Sequence, residues 1–174
     1  MKHNAIRATL VTGLAALLLG GLSAAGATGA TGAAEETFCA GLPATQVGTD
    51  AGETLTGTPL DDVIVGLGGA DTIRGLEGND TVCAGSGNDV VYGSAGEDNV
   101  RGGSGDDVLR GGPNADVLDG MSGDDIIYGG SGSDTAFGHA GNDLVRGGSG
   151  ADVIKGGSGI DTCKSPKNAP GCNN

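Results

Sequence analysis

The sequence predicts an all-β solenoid made by stacking many copies of one short unit. The first observation behind this prediction is a nine-residue repeat that runs from residue 57 to residue 164 without insertion or deletion. The second is the composition: 38 glycines, two Phe, two Tyr and no Trp leave too few large apolar side chains for an ordinary globular core. A unit this poor in apolar side chains buries its apolar side only by stacking on its neighbours.

The N-terminal region, residues 1–34, is predicted to be a Sec-type signal peptide. Basic residues precede an apolar run from residue 8 to residue 22, and small residues that fit a cleavage site lie between about 25 and 34. The apolar run is shorter than the roughly 20 residues of a membrane-spanning helix. We therefore expect no membrane span and a secreted, extracellular protein; the sequence leaves open whether it is released or held at the cell surface.

Each nine-residue block is predicted to be a turn followed by a short strand. The blocks 66–74 (GLGGADTIR) and 102–110 (GGSGDDVLR) show the pattern: glycine near the start, aspartate at position 6 and an aliphatic residue at position 8. Glycines at positions 1, 2 and 4 are expected to permit positive φ and close backbone approach. Positions 7–9 should form the strand, with position 8 inside. Leu60, at position 4 of the first block, predicts a distorted first turn.

Position 6 carries the most regular residue of the repeat, and the aligned acidic side chains favour a cation as partner. It is aspartate in every block, namely Asp62, Asp71, Asp80, Asp89, Asp98, Asp107, Asp116, Asp125, Asp134, Asp143, Asp152 and Asp161. A degenerate block, 48–56, precedes them with Glu53 at the equivalent position. Oxygen ligands of this kind suit Ca²⁺ better than Mg²⁺, which demands a tight octahedron, or Zn²⁺, which prefers His and Cys.

The pattern GGxGxDxUx over residues 48–164 resembles the repeats-in-toxin (RTX, haemolysin-type) calcium-binding repeats. The resemblance implies a right-handed parallel β-roll in which two blocks complete one coil, so that turns on the same side lie 18 residues apart. It also implies Ca²⁺ ions between same-side turns, held by the aspartates and by turn carbonyls. Two rows of six aspartates then offer up to about ten sites, or eleven if Glu53 begins one row.

Calcium is expected to drive folding of the roll. Without it, regularly spaced aspartates repel one another, and about 1–2 kcal/mol of backbone entropy per residue opposes ordering of a glycine-rich chain. Binding and folding should then be a single event. The formal net charge of −13 favours cations as partners and argues against nucleic acid, whose phosphates would be repelled.

No enzymatic activity is predicted. His139 is the one histidine after the signal peptide, and nothing resembles a nucleophile elbow or an HExxH helix. Most RTX proteins carry a toxin, protease or lipase domain, whereas here only an expected N-terminal cap (35–47) and a C-terminal tail (165–174) flank the repeats. We expect a free-standing calcium-binding protein. The alternatives are a calcium-stiffened structural or adhesion component of the cell envelope and the remnant of a secreted RTX hydrolase or cytolysin.

Four cysteines, Cys39, Cys83, Cys163 and Cys172, predict two disulfides in an exported protein. Cys83 is at position 9 of its block and points outward, within reach of an N-terminal cap. We expect Cys39–Cys83 and Cys163–Cys172, which would close the two open ends of the roll. Three pairings are possible, and the sequence does not decide between them.

One outward-facing column follows a pattern that the repeat does not require. Position 9 in every second block reads Arg74, Tyr92, Arg110, Tyr128, Arg146 and Lys164. With neighbouring strands about 4.8 Å apart, these side chains should stack as a cation–π ladder beside an aliphatic column. They are either cross-strand pairs that stabilise a solvated sheet or a docking face for a partner protein or a second copy of the chain.

Overall fold

The structure is a computed structural model that describes residues 38–165. The predicted signal peptide (1–34) and most of the predicted C-terminal tail lie outside the described residues. In the described part, no helix is long and apolar enough to cross a bilayer.

The described chain is all-β. The strands, in chain order, are β1 (Phe38–Cys39), β2 (Leu42–Pro43), β3 (Gln46–Val47), β4 (Thr54–Thr56), β5 (Val63–Val65), β6 (Thr72–Glu77), β7 (Thr81–Ser86), β8 (Val90–Ala95), β9 (Asn99–Ser104), β10 (Val108–Pro113), β11 (Val117–Ser122), β12 (Ile126–Ser131), β13 (Thr135–Ala140), β14 (Leu144–Ser149), β15 (Val153–Ser158) and β16 (Thr162–Lys164).

Alternate strands form two seven-stranded sheets. Sheet I has the order β16-β14-β12-β10-β8-β6-β4, and sheet II has the order β15-β13-β11-β9-β7-β5-β3. All pairs within the two sheets are parallel, and the register joins residues 18 apart, as in Arg110 with Tyr128. The chain therefore alternates between the sheets, and each pair of blocks completes one coil. This confirms the predicted parallel β-roll, with about seven coils.

The core is one column of position-8 side chains from each sheet. Ile73, Leu109 and Ile127 of sheet I and Ile64 and Leu118 of sheet II are completely buried. Each such side chain contributes about 1.5–3 kcal/mol by leaving water. The core is thin because each block of nine residues supplies a single position-8 side chain to it. Stacking along the roll makes the column continuous, as the repeat predicted.

The strands are longer than the repeat predicted. Most run for six residues, from position 7 of one block to position 3 of the next, so the turn is confined to positions 4–6. Positive φ occurs at positions 2 and 4, including 78° at Asn114 and 75° at His139. The expectation of positive φ at position 1 was wrong. Glycine is needed there because the backbone packs against the turn, as described below. Leu60 does not adopt positive φ, so the first turn differs from the others as expected.

A small hairpin packs against sheet II near the N-terminal end of the roll, beside β5 and β7. Strands β1 and β2 pair antiparallel, and β3 joins the edge of sheet II beside β5. Cys39 is buried and forms a disulfide with Cys83, with the two Cα atoms 5.7 Å apart. The hairpin is thereby linked to β7, as the expected pairing required. Cys163 is not a free thiol, and its expected partner Cys172 lies outside the described residues, so that pairing stays a prediction.

Candidate metal centre

The structure brings the position-6 aspartates together in two rows, one along each edge of the roll. The first row runs Asp62, Asp80, Asp98, Asp116, Asp134 and Asp152, and the second runs Asp71, Asp89, Asp107, Asp125, Asp143 and Asp161. Eleven of the twelve are buried, and Asp161 is half-buried. Burial of so many carboxylates is costly unless each charge is compensated.

Within each row, one carboxylate oxygen is used to join the coils. The backbone N–H of each aspartate donates to Oδ1 of the aspartate 18 residues later; the N···O distance is 2.9 Å from Asp80 to Asp98 and 2.8 Å from Asp107 to Asp125. Charge-assisted hydrogen bonds of this type are stronger than those between neutral groups. In this way Oδ1 is satisfied and its orientation is fixed.

The other carboxylate oxygen has no partner. Oδ2 is buried and makes no hydrogen bond in ten of the twelve aspartates, namely Asp71, Asp80, Asp89, Asp98, Asp107, Asp116, Asp125, Asp134, Asp143 and Asp161. A buried acceptor of this kind costs about 1–3 kcal/mol when it is neutral and more when it is charged. Ten such atoms in register indicate that a ligand belongs in the turns.

Except at Asp89, whose block begins with Ala84, each unpartnered oxygen lies against the glycine at position 1 of its own block, and at most of these glycines a carbonyl oxygen of the next coil is also close. A Cβ added to Gly75 would overlap Oδ2 of Asp80 and lie 2.7 Å from the carbonyl oxygen of Gly93. The same arrangement recurs at Gly111, where a Cβ would overlap Oδ2 of Asp116. Glycine at position 1 therefore allows the carboxylate oxygen, together with a carbonyl oxygen of the next coil, to pack against the backbone where a side chain would otherwise stand.

The environment of these carboxylates opposes their ionisation. Burial raises the pKa of Asp107 to about 7; the N–H of Asp89 partly offsets this, and the negative charge of Asp125 adds to it. Burial likewise raises the pKa values of Asp116 and Asp125 to about 7 and that of Asp80 to about 6. Burial also raises the pKa values of Asp71, Asp89, Asp98, Asp134 and Asp143. A bound cation would reverse this by favouring the charged form.

The donor atoms fit a hard cation. In residues 38–165, no lysine or arginine forms an ion pair with a position-6 aspartate. No three His, Cys, Asp or Glu side chains of this region converge on one point, so side chains alone do not make a metal cage. Any coordination sphere must therefore combine aspartate oxygens with backbone carbonyls. Ca²⁺ accepts such a flexible all-oxygen sphere, whereas Zn²⁺ requires nitrogen or sulfur ligands.

The ends of the first row differ from its interior. At Asp62, Oδ1 accepts a hydrogen bond from Oγ1 of Thr45 at 2.8 Å, and Oδ2 accepts bonds from the N–H of Thr58 at 2.6 Å and from its Oγ1 at 2.8 Å. At the other end, Oγ of Ser165 donates to Oδ2 of Asp152 at 3.2 Å. Hydroxyl groups of the protein thus donate hydrogen bonds to the carboxylates at both ends of this row.

Two departures from the repeat affect the second row. Glu53 stands in register at its start, because its N–H donates to Oδ1 of Asp71 at 2.8 Å. Ala84 is the one non-glycine residue at position 1, and its methyl group is fully buried within the core. Because Ala84 precedes Asp89 as Gly75 precedes Asp80, a methyl group stands here where in the other blocks the carboxylate packs against a glycine.

Sequence reasoning did not identify a second ladder, at position 5, which runs in the opposite direction. The N–H of Asp124 donates to Oδ1 of Asp106 at 2.9 Å, and the N–H of Asn142 donates to Oδ1 of Asp124 at 2.7 Å. Asn88 and Asn79 accept equivalent bonds. The recurrence of Asn and Asp at position 5 was the signal in the sequence. These exposed side chains connect neighbouring coils by hydrogen bonds on the outside of the turns, whereas the position-6 aspartates are buried.

The predicted cation–π ladder is present on sheet I. The Cζ atoms of Arg74 and Arg110 lie 5.3 and 5.8 Å from the ring centroid of Tyr92, and those of Arg110 and Arg146 lie 5.1 and 5.7 Å from that of Tyr128. Sheet II has side-chain pairs of its own. Nζ of Lys155 lies 5.5 Å from the Phe137 ring, and Nε2 of His139 lies 3.0 Å from Oδ1 of Asp119.

These observations define the class of protein: a parallel β-roll whose turns hold two rows of buried aspartates, most of which have one carboxylate oxygen without a partner. A family model described as the RTX calcium-binding nonapeptide repeat (4 copies) matches residues 47–82, 56–91, 92–127, 101–136 and 128–163. The matches together cover most of the chain, which therefore belongs to this family of calcium-binding repeats. A comparison with curated proteins found no match.

Proposed function

We propose that the protein is a secreted calcium-binding module whose β-roll folds when Ca²⁺ occupies the turns. The observation that carries this proposal is the set of ten buried Oδ2 atoms without partners. A charged oxygen in each of these places destabilises the metal-free roll, and a divalent cation compensates two such charges at once. Folding would then be linked to calcium concentration, low inside the cell and about millimolar outside, where modules of this kind bind with weak affinity.

In this proposal the ligands are the twelve position-6 aspartates and the turn carbonyls that face them. An ion between Asp80 and Asp98, for example, would draw on Oδ2 of Asp80 and the carbonyl oxygen of Gly93, because both oxygens lie against Gly75 and therefore close to each other. The two rows offer up to ten intervals. The interval that begins at Asp62 should bind most weakly, because protein hydroxyl groups already satisfy both oxygens of that carboxylate.

The test is far-UV circular dichroism of the mature chain in chelator, titrated with Ca²⁺ and in parallel with Mg²⁺. We expect a cooperative rise in β signal with Ca²⁺ between sub-millimolar and millimolar concentrations and no rise with Mg²⁺. A β spectrum already complete in chelator would refute calcium-coupled folding and leave Ca²⁺ as a ligand of a preformed roll. Equal responses to both ions would refute the assignment of the turns to Ca²⁺.

A second candidate is a calcium-stiffened structural or adhesion component of the cell envelope. The Arg–Tyr ladder favours it, because an ordered exposed column is more than calcium binding requires. Fractionation distinguishes the two: a released module is found in the culture supernatant, and an envelope component stays with the cell wall or membrane fraction until calcium is chelated. Neither candidate involves catalysis.

A further inference from the structure

The Arg–Tyr ladder of sheet I lies on a surface that calcium binding does not use. Within residues 38–165, all lysines and arginines stand at position 9 of their blocks; four lie on sheet I, namely Arg74, Arg110, Arg146 and Lys164, and two lie on sheet II, namely Arg101 and Lys155. The acidic residues are concentrated in the turns. Positive charge is thus separated from negative charge and gathered most densely on one flat face.

The three guanidinium groups of the ladder have no acidic partner. In the described part of the chain, the guanidinium groups of Arg74, Arg110 and Arg146 are exposed and take part in no ion pair or hydrogen bond, although the protein has 22 acidic residues. Their contacts are with the faces of the Tyr rings, which restrict the guanidinium planes and leave the N–H edges unpaired. Such an edge binds a carboxylate through two parallel hydrogen bonds.

The spacing of these groups selects a type of ligand. Successive arginines are two coils apart, which is about 9.6 Å for strands 4.8 Å apart. A polyproline II chain has three residues per turn and rises about 3.1 Å per residue, so every third side chain recurs on one side at about 9.3 Å. In an extended β-strand, side chains on one side recur at about 6.8 Å, which does not match the arginines. The ladder therefore matches an acidic residue at every third position of a polyproline II segment.

The neighbouring columns suit the rest of such a segment. At position 7 of the same strands, Val90, Val108, Ile126 and Leu144 form a half-buried aliphatic column on which proline rings can pack. The backbone carbonyls of a polyproline II chain have no internal hydrogen bonds. The hydroxyl groups of Tyr92 and Tyr128, which donate to no acceptor within residues 38–165, can serve those carbonyls.

From these four properties we propose that the Arg–Tyr ladder of the folded roll binds an extended, proline-rich acidic peptide with an aspartate or glutamate at every third position. Carboxylates contact the guanidinium edges of Arg74, Arg110 and Arg146, prolines contact the aliphatic column, and the Tyr hydroxyl groups donate to peptide carbonyls. The occupant is a peptide rather than an anionic polysaccharide, because the aliphatic column offers apolar contacts to proline rings and no hydrogen bonds to the hydroxyl groups of a sugar chain.

The experiment uses the full mature chain with saturating Ca²⁺ and fluorescence anisotropy of labelled synthetic peptides at low salt. The first peptide repeats Asp-Pro-Pro four times, and the second repeats Asp-Pro-Pro-Pro four times, which keeps the charge and breaks the spacing. We expect the first to bind about tenfold more tightly. We expect Arg110→Gln to weaken its binding by about tenfold, and Arg101→Gln, an equally exposed arginine on sheet II, to leave it unchanged.

Arg110→Lys separates recognition from mere charge, because lysine keeps the charge and lacks the planar fork. It should weaken binding nearly as much as Arg110→Gln, with an unaltered circular dichroism spectrum in Ca²⁺. Equal binding of the two peptides, or equal effects of Arg101→Gln and Arg110→Gln, would show non-specific attraction and overturn the proposal. Tighter binding of a carboxylated polysaccharide through Arg110 would also overturn it, as would blockage of the face by self-association in sedimentation.

Discussion

The first complete turn of the roll, residues 57–62, and an interior turn such as 102–107 are built on the same nine-residue unit and treat their aspartates differently. Asp62 has both carboxylate oxygens satisfied by Thr45 and Thr58. In Asp107, Oδ1 accepts the N–H of Asp89 and Oδ2 has no partner. The hydroxyl of Thr45 and the N–H and hydroxyl of Thr58 thus distinguish a carboxylate that the protein satisfies by itself from one that keeps a buried oxygen without a partner.

The largest expected effect comes from Asp107→Asn, with Asp62→Asn as its matched control. Loss of one site should remove about 2.7 kcal/mol of calcium-dependent stability when Ca²⁺ is at about 100 times the dissociation constant. In chelator, Asp107→Asn should instead stabilise the roll, because a buried charge disappears. Denaturant unfolding with and without Ca²⁺ measures both. Equal effects of the two substitutions on calcium-dependent stability would remove the distinction between the turns.

The next effect is a pH dependence of the metal-free roll. The pKa of Asp107 is raised to about 7 in the folded chain, whereas an unfolded aspartate ionises near pH 4. Between these values the folded state binds protons that the unfolded state does not, so stability falls as pH rises through that window. In chelator, the β signal should therefore increase from pH 8 to pH 5. A signal that decreased over this range would contradict the account of the interior turns.

Thr58→Val is expected to bring the first turn closer to the others, although Oδ2 of Asp62 keeps its hydrogen bond from the backbone N–H of residue 58. It removes the hydroxyl donor to Oδ2 of Asp62 while keeping side-chain volume, and should cost about 1 kcal/mol in chelator. Part of this loss should be recovered on adding Ca²⁺. Thr56→Val, at an exposed strand position, serves as the control and should change neither value. Denaturant unfolding curves of the two variants, with and without Ca²⁺, measure these changes. A loss of unfolding free energy that Ca²⁺ does not recover would contradict the prediction that a cation can replace the Thr58 hydroxyl.

The smallest effect on calcium binding is expected at Ala84→Gly. The substitution removes the methyl group that stands where the carboxylate packs in the other blocks, so calcium affinity measured by calorimetry should rise by roughly a few-fold. The metal-free roll should lose about 1–2 kcal/mol, because a buried methyl group is removed and glycine is more flexible. Ala115→Gly, in an exposed turn position, controls for flexibility. Unchanged affinity in Ala84→Gly would show that the methyl group does not restrict the site.

The sequence was sufficient to predict the fold because its periodicity is complete. The position of Ile73 or Leu109 within the block places it in the core, and the alternation of Arg110 with Tyr128 in every second block predicts the stacked rings. These inferences need only the strand period and the repeat length.

The sequence did not predict that Oδ1 of each interior aspartate accepts a backbone N–H while Oδ2 has no partner. Whether Oδ1 of Asp98 accepts the N–H of Asp80 depends on the height of one coil above the next. The pairing of Thr45 with Asp62 depends on how the chain enters the first coil. The requirement for glycine at position 1 arises from close packing against the turn rather than from φ, and a glycine in a sequence does not reveal which of these two reasons applies.

The 18-residue register also sets which changes of chain length the molecule tolerates during evolution. Deletion or duplication of 18 residues removes or adds one whole coil and leaves every side chain on its own sheet. A change of nine residues keeps the interior aliphatic but moves all later blocks to the opposite sheet, which would split the Arg–Tyr column between two faces. Gene duplication can therefore lengthen this protein freely in double units, whereas a single unit would preserve the aspartate rows and destroy the ordered face.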